Sequence, residues 1–361
     1  MANLNEYKCP CCGGAIEFDP TLQKLKCPYC DTEFDIETLK AMGAEASAER
    51  GDSFGWDVNK SNEWTQDTGD GLHVYICNSC GGEIIGDETL SATKCPYCGN
   101  PVVMTDNFAG ILKPDWLLPF RLTKEQAKQG LKKHLHGKKL LPKVFKTENH
   151  IDEVKGIYVP FWLFNADADA HIRYKATKVR TWSDSDYHYT ETSYYAVVRE
   201  GELKFQNIPA DGSSKMDDTL MESIEPFDIS QAVDFQTAYL AGFLADKYDV
   251  TAEQNIERVN ARVKRSAEIS FENTVHGYNT VRTEQSSVNV QNGKAGYALF
   301  PVWILNTTWK NKKYTFAMNG QTGKFVGNLP IDKVKYWLYR VLWMLLFSGI
   351  ASLVIYFLFV R

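Results

Sequence analysis

Cys9-Pro-Cys11-Cys12, then fourteen residues, then Cys27-Pro-Tyr-Cys30 is the phrase that decides the N-terminal fold. It recurs as Cys77-Asn-Ser-Cys80, fourteen residues, Cys95-Pro-Tyr-Cys98. Each cysteine of the second set follows its counterpart by 68 residues: Cys9 to Cys77, Cys12 to Cys80, Cys27 to Cys95, Cys30 to Cys98. Cys12-Gly-Gly-Ala-Ile matches Cys80-Gly-Gly-Glu-Ile in the same register, and Lys26-Cys-Pro-Tyr-Cys matches Lys94-Cys-Pro-Tyr-Cys. The pattern is an internal duplication. Two residues between thiolates let one tight turn aim both sulfurs at a single ion, and glycine after the second cysteine permits the reversal. Four thiolates close a tetrahedron, so two structural zinc ions are expected, on Cys9, Cys12, Cys27 and Cys30 and on Cys77, Cys80, Cys95 and Cys98. Cys11 is the odd ninth cysteine and is expected to be a spectator.

All nine cysteines of this 361-residue chain lie between residues 9 and 98. Paired Cys-x-x-Cys units, with no apolar run in Met1 to Pro10, read as metal sites in a reducing compartment rather than as a disulfide framework. Charge counts speak against nucleic acid. Residues 1–40 hold four lysines against seven acids, and residues 71–104 hold Lys94 against Glu83, Asp87 and Glu88. Phosphate binding needs clustered cations, which neither ribbon supplies. Protein contact is the better expectation.

The expected organisation is a first ribbon at 1–36, a linker at 37–71 and a second ribbon at 72–104. An α+β region follows at 105–335, then a membrane anchor at 336–361. The linker is expected to open with a short helix after Asp35 and to pack Trp64 near the second ribbon. The α+β region also looks duplicated, with halves of about 105–215 and 216–335. Leu118-Pro-Phe120-Arg-Leu-Thr123 resembles Glu225-Pro-Phe227-Asp-Ile-Ser230, and Pro160-Phe-Trp162-Leu-Phe-Asn165 resembles Pro301-Val-Trp303-Ile-Leu-Asn306. Asn207-Ile-Pro-Ala-Asp211 and Asn328-Leu-Pro-Ile-Asp332 close the halves. Capping boxes at Thr123/Gln126 and Thr251/Gln254 predict helices over 124–136 and 252–270, and Asp234 to Tyr248 reads as a third. Antiparallel strands are expected at 157–164, 171–182, 187–199, 271–290, 298–309 and 313–318, with a hairpin turn at Asn319-Gly-Gln-Thr-Gly323.

No phosphate loop and no nucleophile elbow occur in this region. His134 and His136 are two apart on a helix and point away from each other. Asp184, Asp186 and His188 read as a solvated hairpin turn, and Tyr158, Phe161, Trp162 and Phe164 as core. The chain is therefore expected not to be an enzyme.

Val341 to Val360 is twenty residues without a charge, roughly 30 Å of helix and the thickness of a hydrocarbon core. Tyr336, Trp337, Tyr339 and Trp343 form an interfacial belt. Lys333, Lys335 and Arg340 precede the span, which by the positive-inside rule puts residues 1–335 in the cytoplasm. No basic amphipathic helix or lipidation signal is expected elsewhere.

The two ribbons, Lys113-Pro-Asp-Trp-Leu-Leu-Pro-Phe120, Gly156-Ile-Tyr-Val-Pro-Phe-Trp162 and Asn319-Gly-Gln-Thr-Gly-Lys324 together resemble bacterial TFIIB-type zinc-ribbon proteins, over nearly the whole chain. Members are often labelled as a primosomal replication helicase, but this chain has no Walker loop. Relatives with a C-terminal membrane helix accompany SPFH (flotillin-like) and phage-shock-type membrane-stress proteins, and the resemblance implies such partners here. The function expected is a non-enzymatic, tail-anchored adaptor on the cytoplasmic face. The alternative is a membrane-bound nucleic-acid-binding protein of replication or transcription.

Overall fold

The computed structural model describes residues 9, 11–12, 14–38, 51–58, 64, 72–87, 94–104, 112–146, 153–310 and 312–359. In chain order the strands are β1 (Glu17–Asp19), β2 (Lys24–Lys26), β3 (Glu33–Phe34), β4 (Ser53–Asp57), β5 (Leu72–Ile76), β6 (Glu83–Asp87), β7 (Val103–Met104) and β8 (Trp116–Leu117). Helix α1 (Lys124–Leu135) precedes the long strands β9 (Lys155–Ser183) and β10 (His188–Asp211). Next come α2 (Asp218–Ser223), β11 (Val233–Asp234), β12 (Leu244–Asp246) and α3 (Ala252–Glu272). The chain closes with β13 (Thr280–Trp309), β14 (Lys312–Asn319), β15 (Phe325–Gly327) and α4 (Lys333–Phe359). The fold is mixed α+β, as expected, and contacts divide the chain into two compact units.

The first unit comprises Met1–Asp57, Asn165–Gln206 and Glu257–Lys294. It contains the small sheet β1-β2-β3 of the first ribbon. That ribbon has its own modest core of Cys9, Cys27 and Phe34, edged by Ile16 and Leu25. A second cluster joins Ile172, Tyr174, Ala176 and Val197 with Val275 and Phe271. Residues 37–71, read as a linker, include a strand: β4 lies parallel to β13, pairing Ser53 with Asn289 and Trp56 with Gly293. A Cβ on Gly293 would sit 2.4 Å from the Trp56 ring, so only glycine admits this tryptophan. The Trp56 indole donates to Asn260 Oδ1 at 2.7 Å, and Lys264 meets Asp52 at 2.6 Å. Residues 36–38 are helical, and most of the rest of the expected linker lies outside the described residues.

The second unit comprises Val58–Phe164, Asn207–Ile256 and Ala295–Arg361. Here β9 and β13 obey the period of two. Ile157, Val159, Phe161 and Leu163 face one core together with Ala298, Phe300, Val302 and Ile304. Trp303 and Leu305 face a second core built on Ala127, Leu131 and Leu135 of α1. Both faces are covered, which is why residues 157–164 form an unbroken apolar run. Tyr158, Phe161, Trp162 and Phe164 are core, as expected. Trp64 packs edge-on to Phe235, with ring centroids 5.7 Å apart.

The duplication is visible in the hydrogen bonding. Thr123 and Gln126 cap α1 reciprocally, and Thr251 and Gln254 do the same for α3. The backbone N–H groups of Arg121 and Leu122 both donate to Gly320 O, while those of Asp249 and Val250 both donate to Gly212 O. Gly320 and Gly212 in turn donate to the carbonyls of Pro301 and Pro160. Each helix lead-in is thus stapled to the closing turn of the other half. The strand pairings agree: β8 runs parallel to β13, and β12 runs parallel to β9. These joins, with β4, add parallel pairings to the antiparallel sheet that was expected. The counterpart of Thr123 is Thr251, not Ser230; Glu225-Pro-Phe227 leads only into a 3-10 turn at Ile229–Gln231.

Other expectations change too. Asp234 to Tyr248 is no helix but holds β12 and a 3-10 turn at Thr237–Leu240, because pairing of Leu244 and Ala245 with Ile157 and Tyr158 outweighs local propensity. The strand expected from 271 begins at Thr280, since α3 runs through Glu272. The expected pairs of strands at 157–164 and 171–182, and at 271–290 and 298–309, are each one continuous strand. Asp184 accepts N–H bonds from Asp186 and Tyr187 in the expected turn. The turn at 319–323 also forms, with Gly323 at φ +76°.

Candidate metal centres

Both groups of four cysteines come together. Within each group the sulfurs all lie within 4.8 Å of one another. In the first, Cys9 and Cys30 Sγ are 3.5 Å apart, as are Cys12 and Cys27. In the second, Cys77 and Cys98 are 3.4 Å apart and Cys80 and Cys95 3.6 Å. A tetrahedron with metal–sulfur bonds of about 2.3 Å has edges of about 3.8 Å, close to these spacings. A disulfide would need about 2.05 Å, and all nine cysteines are free thiols. Each group can hold a metal ion.

The knuckles that aim these sulfurs repeat. Cys9, Cys27, Cys77 and Cys95 donate their N–H groups to the carbonyls of Gly14, Thr32, Gly82 and Asn100, five residues on in each case. Asp31, Gly81 and Gly99, each directly after a second cysteine, take φ of +54°, +67° and +77°. The second glycine of each Cys-Gly-Gly has a separate task. A Cβ on Gly14 would meet the Tyr29 ring at 2.6 Å, and one on Gly82 would meet Tyr97 at 3.3 Å. The tyrosine of each Cys-Pro-Tyr-Cys therefore lies over the opposite knuckle.

The thiols respond to their surroundings. The hydroxyl of Thr32, 3.1 Å from Cys30 Sγ, brings that thiol down to about 6. Burial pushes Cys95 up to about 12 and Cys9 up to about 11. A bound cation must displace protons from the raised thiols, so metal affinity rises with pH. Cys11 stands outside the group of four. Its carbonyl accepts a bond from Lys175 Nζ at 3.1 Å, and burial raises its thiol pKa.

The two centres are embedded differently. Tyr29 is 74% exposed, whereas Tyr97 is 2% exposed and belongs to the main core of its unit with Cys77 and Cys95. The cause is pairing: β6 of the second ribbon runs antiparallel to β12, joining Ile84 to Asp246 and Ile85 to Ala245. The sequence repeat hid this difference. Beside the second knuckle lies a cleft of about 210 Å³ lined by Gly81, Glu83, Lys215, Asp246, Lys247, Tyr248 and Asp249. Lys247 meets Glu83 at 2.6 Å and Lys215 meets Asp249 at 3.5 Å. Asp246 is fully buried and accepts a bond from Ser213 Oγ at 2.5 Å, and burial pushes its carboxyl up to about 7. Sequence reading missed this group because Asp211-Gly-Ser213 and Asp246 lie far apart along the chain. The signal was the second half of the duplication, where Asn319 holds the turn position of Asp211.

The chain is 33% identical over 348 residues to the "Uncharacterized protein YdjG" of Bacillus subtilis (strain 168), a match covering 96% of this chain and 94% of that one. The chain belongs to the YdjG family. No protein-family model matches it, and no solved structure does. The match leaves out about 13 residues of the chain, so it includes the second cysteine group and reaches into the C-terminal helix. That helix, α4, is long and apolar enough to cross a membrane, and none of its residues is buried within the chain. At about 1.5 Å per residue its 27 residues extend about 40 Å, enough for a hydrocarbon core and one interface. Val360, at the end of the expected span, lies outside the described residues.

Proposed function

We propose that this chain is a non-enzymatic, tail-anchored adaptor that presents two zinc-stabilised surfaces on the cytoplasmic face of a membrane. The observation that carries the reading is the closed donor set: each group offers four thiolates, which leaves no coordination position for a substrate. Zinc is the ion because soft thiolates in a tetrahedral set suit it best. Its role is to fix the knuckles, with Cys9, Cys12, Cys27 and Cys30 holding one ion and Cys77, Cys80, Cys95 and Cys98 the other. Lys333, Lys335 and Arg340, just before the span, support the orientation.

The resemblance to TFIIB-type zinc-ribbon proteins supplies the partner class, SPFH and phage-shock-type membrane-stress proteins. The mildly acidic ribbons support protein rather than nucleic-acid contact. The test is recovery of the full-length protein from detergent-solubilised membranes, probed for these two classes. Their enrichment over a span-only control is the expected result. Recovery of unrelated membrane proteins alone would remove the partner assignment, and a steeply salt-dependent DNA or RNA complex would replace it.

A further inference from the structure

Between Lys124 and Lys146 the chain carries eight lysines and a single acid, Glu125, although its net charge is −5. Helix α1 explains where those charges go. Ala127, Leu131 and Leu135, at intervals of four, are buried, while Lys124, Lys132 and Lys133 are exposed. Lys139 and Lys143 are exposed on the segment that follows. This is a basic amphipathic helix with a basic extension, contrary to the expectation that the chain has none. Leu141 and Phe145 bind the extension to the same core as Leu131 and Leu135, with Phe325 and Leu329 packed against it.

The position of the cluster gives it meaning. The Asp332 N–H donates to Leu140 O at 2.9 Å, and Lys335 Nζ donates to Leu141 O at 2.7 Å. These bonds tie the lysine-rich segment to the first turn of α4. From Lys335 to Val341 the helix rises about 9 Å. A headgroup layer is roughly 5–8 Å deep on each side of the hydrocarbon. The tie point therefore lies at the outer edge of the headgroups, within a Debye length of about 8–10 Å of the lipid phosphates. Among the described residues, no acid forms an ion pair with Lys133, Lys139, Lys143 or Lys333. Asp332 accepts the N–H groups of Val334 and Lys335 as the cap of α4, and Glu125 sits in the first turn of α1, away from Lys139 and Lys143. Lys138 is a weaker candidate, since it faces His134 Nε2 at 2.8 Å.

We propose that the α1 segment, through Lys133, Lys139 and Lys143 together with Lys333, binds the headgroups of anionic phospholipids beside the point where α4 enters the membrane. The inference rests on reading α4 as a membrane span. Attachment at the lipid boundary, and not charge alone, selects a lipid headgroup over a polynucleotide. A lysine near an anionic surface contributes roughly a five-fold gain in binding, so three contribute about 100-fold.

The test uses full-length protein in a neutral detergent, with bound lipid counted by native mass spectrometry as phosphatidylglycerol or phosphatidylcholine is added. The wild-type chain should prefer phosphatidylglycerol. The K133Q/K139Q/K143Q variant should lose about 100-fold of that binding, and K178Q/K204Q/K294Q, which removes equal charge from the first unit, should lose almost none. Both variants alter exposed side chains, and unchanged thermal unfolding verifies their folds. Equal binding of the two lipids, or an unchanged preference in the first variant, would overturn the proposal. Complete displacement of phosphatidylglycerol by inorganic phosphate would assign the patch to free phosphate, and tighter capture of a single-stranded oligonucleotide would assign it to nucleic acid. Extraction of the full-length protein from membranes by salt alone is a separate outcome, which strikes at the span and not at the lysines.

Discussion

Replacing Cys95 by serine and replacing Cys27 by serine remove equivalent ligands from two near-identical motifs, yet they should have unequal consequences. Either change should lower bound zinc from two ions per chain to about one, since three thiolates no longer close the tetrahedron. Among the described residues, the first ribbon has a small core of its own, Cys9, Cys27 and Phe34 edged by Ile16 and Leu25, so its loosening should leave the second unit intact. In the second ribbon, release of the knuckle exposes Tyr97, Cys77 and Cys95, all members of the large core. Exposure costs roughly 2–3 kcal/mol for the tyrosine and about 1 kcal/mol for each cysteine, about 4–5 kcal/mol together. In a unit of roughly 200 residues each kcal/mol moves the midpoint by about 2–4 °C. Cys95→Ser should therefore lower the main thermal transition by about 8–20 °C, and Cys27→Ser by no more than about 2 °C. The assay is tryptophan fluorescence of full-length protein in detergent, alongside elemental analysis for zinc; Trp162 and Trp303 report on the second unit. Equal shifts for the two variants would refute the claim that the second centre is built into the large core of its unit while the first has a small core of its own. Retention of two ions by Cys27→Ser would show that Cys11 completes the first site.

Removing residues 336–361 should release a chain that stays in solution without detergent and keeps both zinc ions, because no residue of α4 is buried. Full-length protein should resist carbonate and high salt; if it washes off, α4 is not a span. The folded pKa of Asp246, about 7, lies above its ordinary value of 3.8. Between about pH 4 and pH 7 the folded state thus binds more protons than the unfolded state, and its stability falls as pH rises through that window. Asp246→Asn should flatten this dependence and raise the midpoint at pH 8; an unchanged slope between pH 5 and pH 8 would contradict the assignment. A Cβ on Gly320 would lie 2.8 Å from the Pro301 carbonyl oxygen, against 3.3 Å for Gly212 and Pro160. Gly320→Ala should therefore destabilise by about 1–3 kcal/mol and Gly212→Ala by less, measured by denaturant unfolding.

The metal centres could be read from sequence because their chemistry is local: a two-residue gap, a glycine and a second gap suffice to place four sulfurs. The same holds for α1 and α3, whose capping boxes lie within four residues. What escaped was long-range. Leu244-Ala-Asp246 is a strand only because β9 and β6 flank it, and β4 only because Gly293 leaves room for Trp56. The different burial of Tyr29 and Tyr97 cannot be seen in two copies of Lys-Cys-Pro-Tyr-Cys, since what buries Tyr97 comes from another part of the chain. The lysines between 124 and 146 were plain in the sequence. Their meaning was not, until Leu140 and Leu141 were found bonded to Asp332 and Lys335.

The crossed stapling of the two halves has a consequence for how such a protein can be divided. The turn at Gly212 is completed by Asp249 and Val250, and the turn at Gly320 by Arg121 and Leu122. A gene fragment encoding either half alone would yield a chain whose lead-in had no turn to grip and whose turn had no lead-in. Such a fragment could satisfy both only by exchanging arms with a second copy. Co-expressed halves, 105–215 and 216–335, should therefore find each other where neither folds by itself.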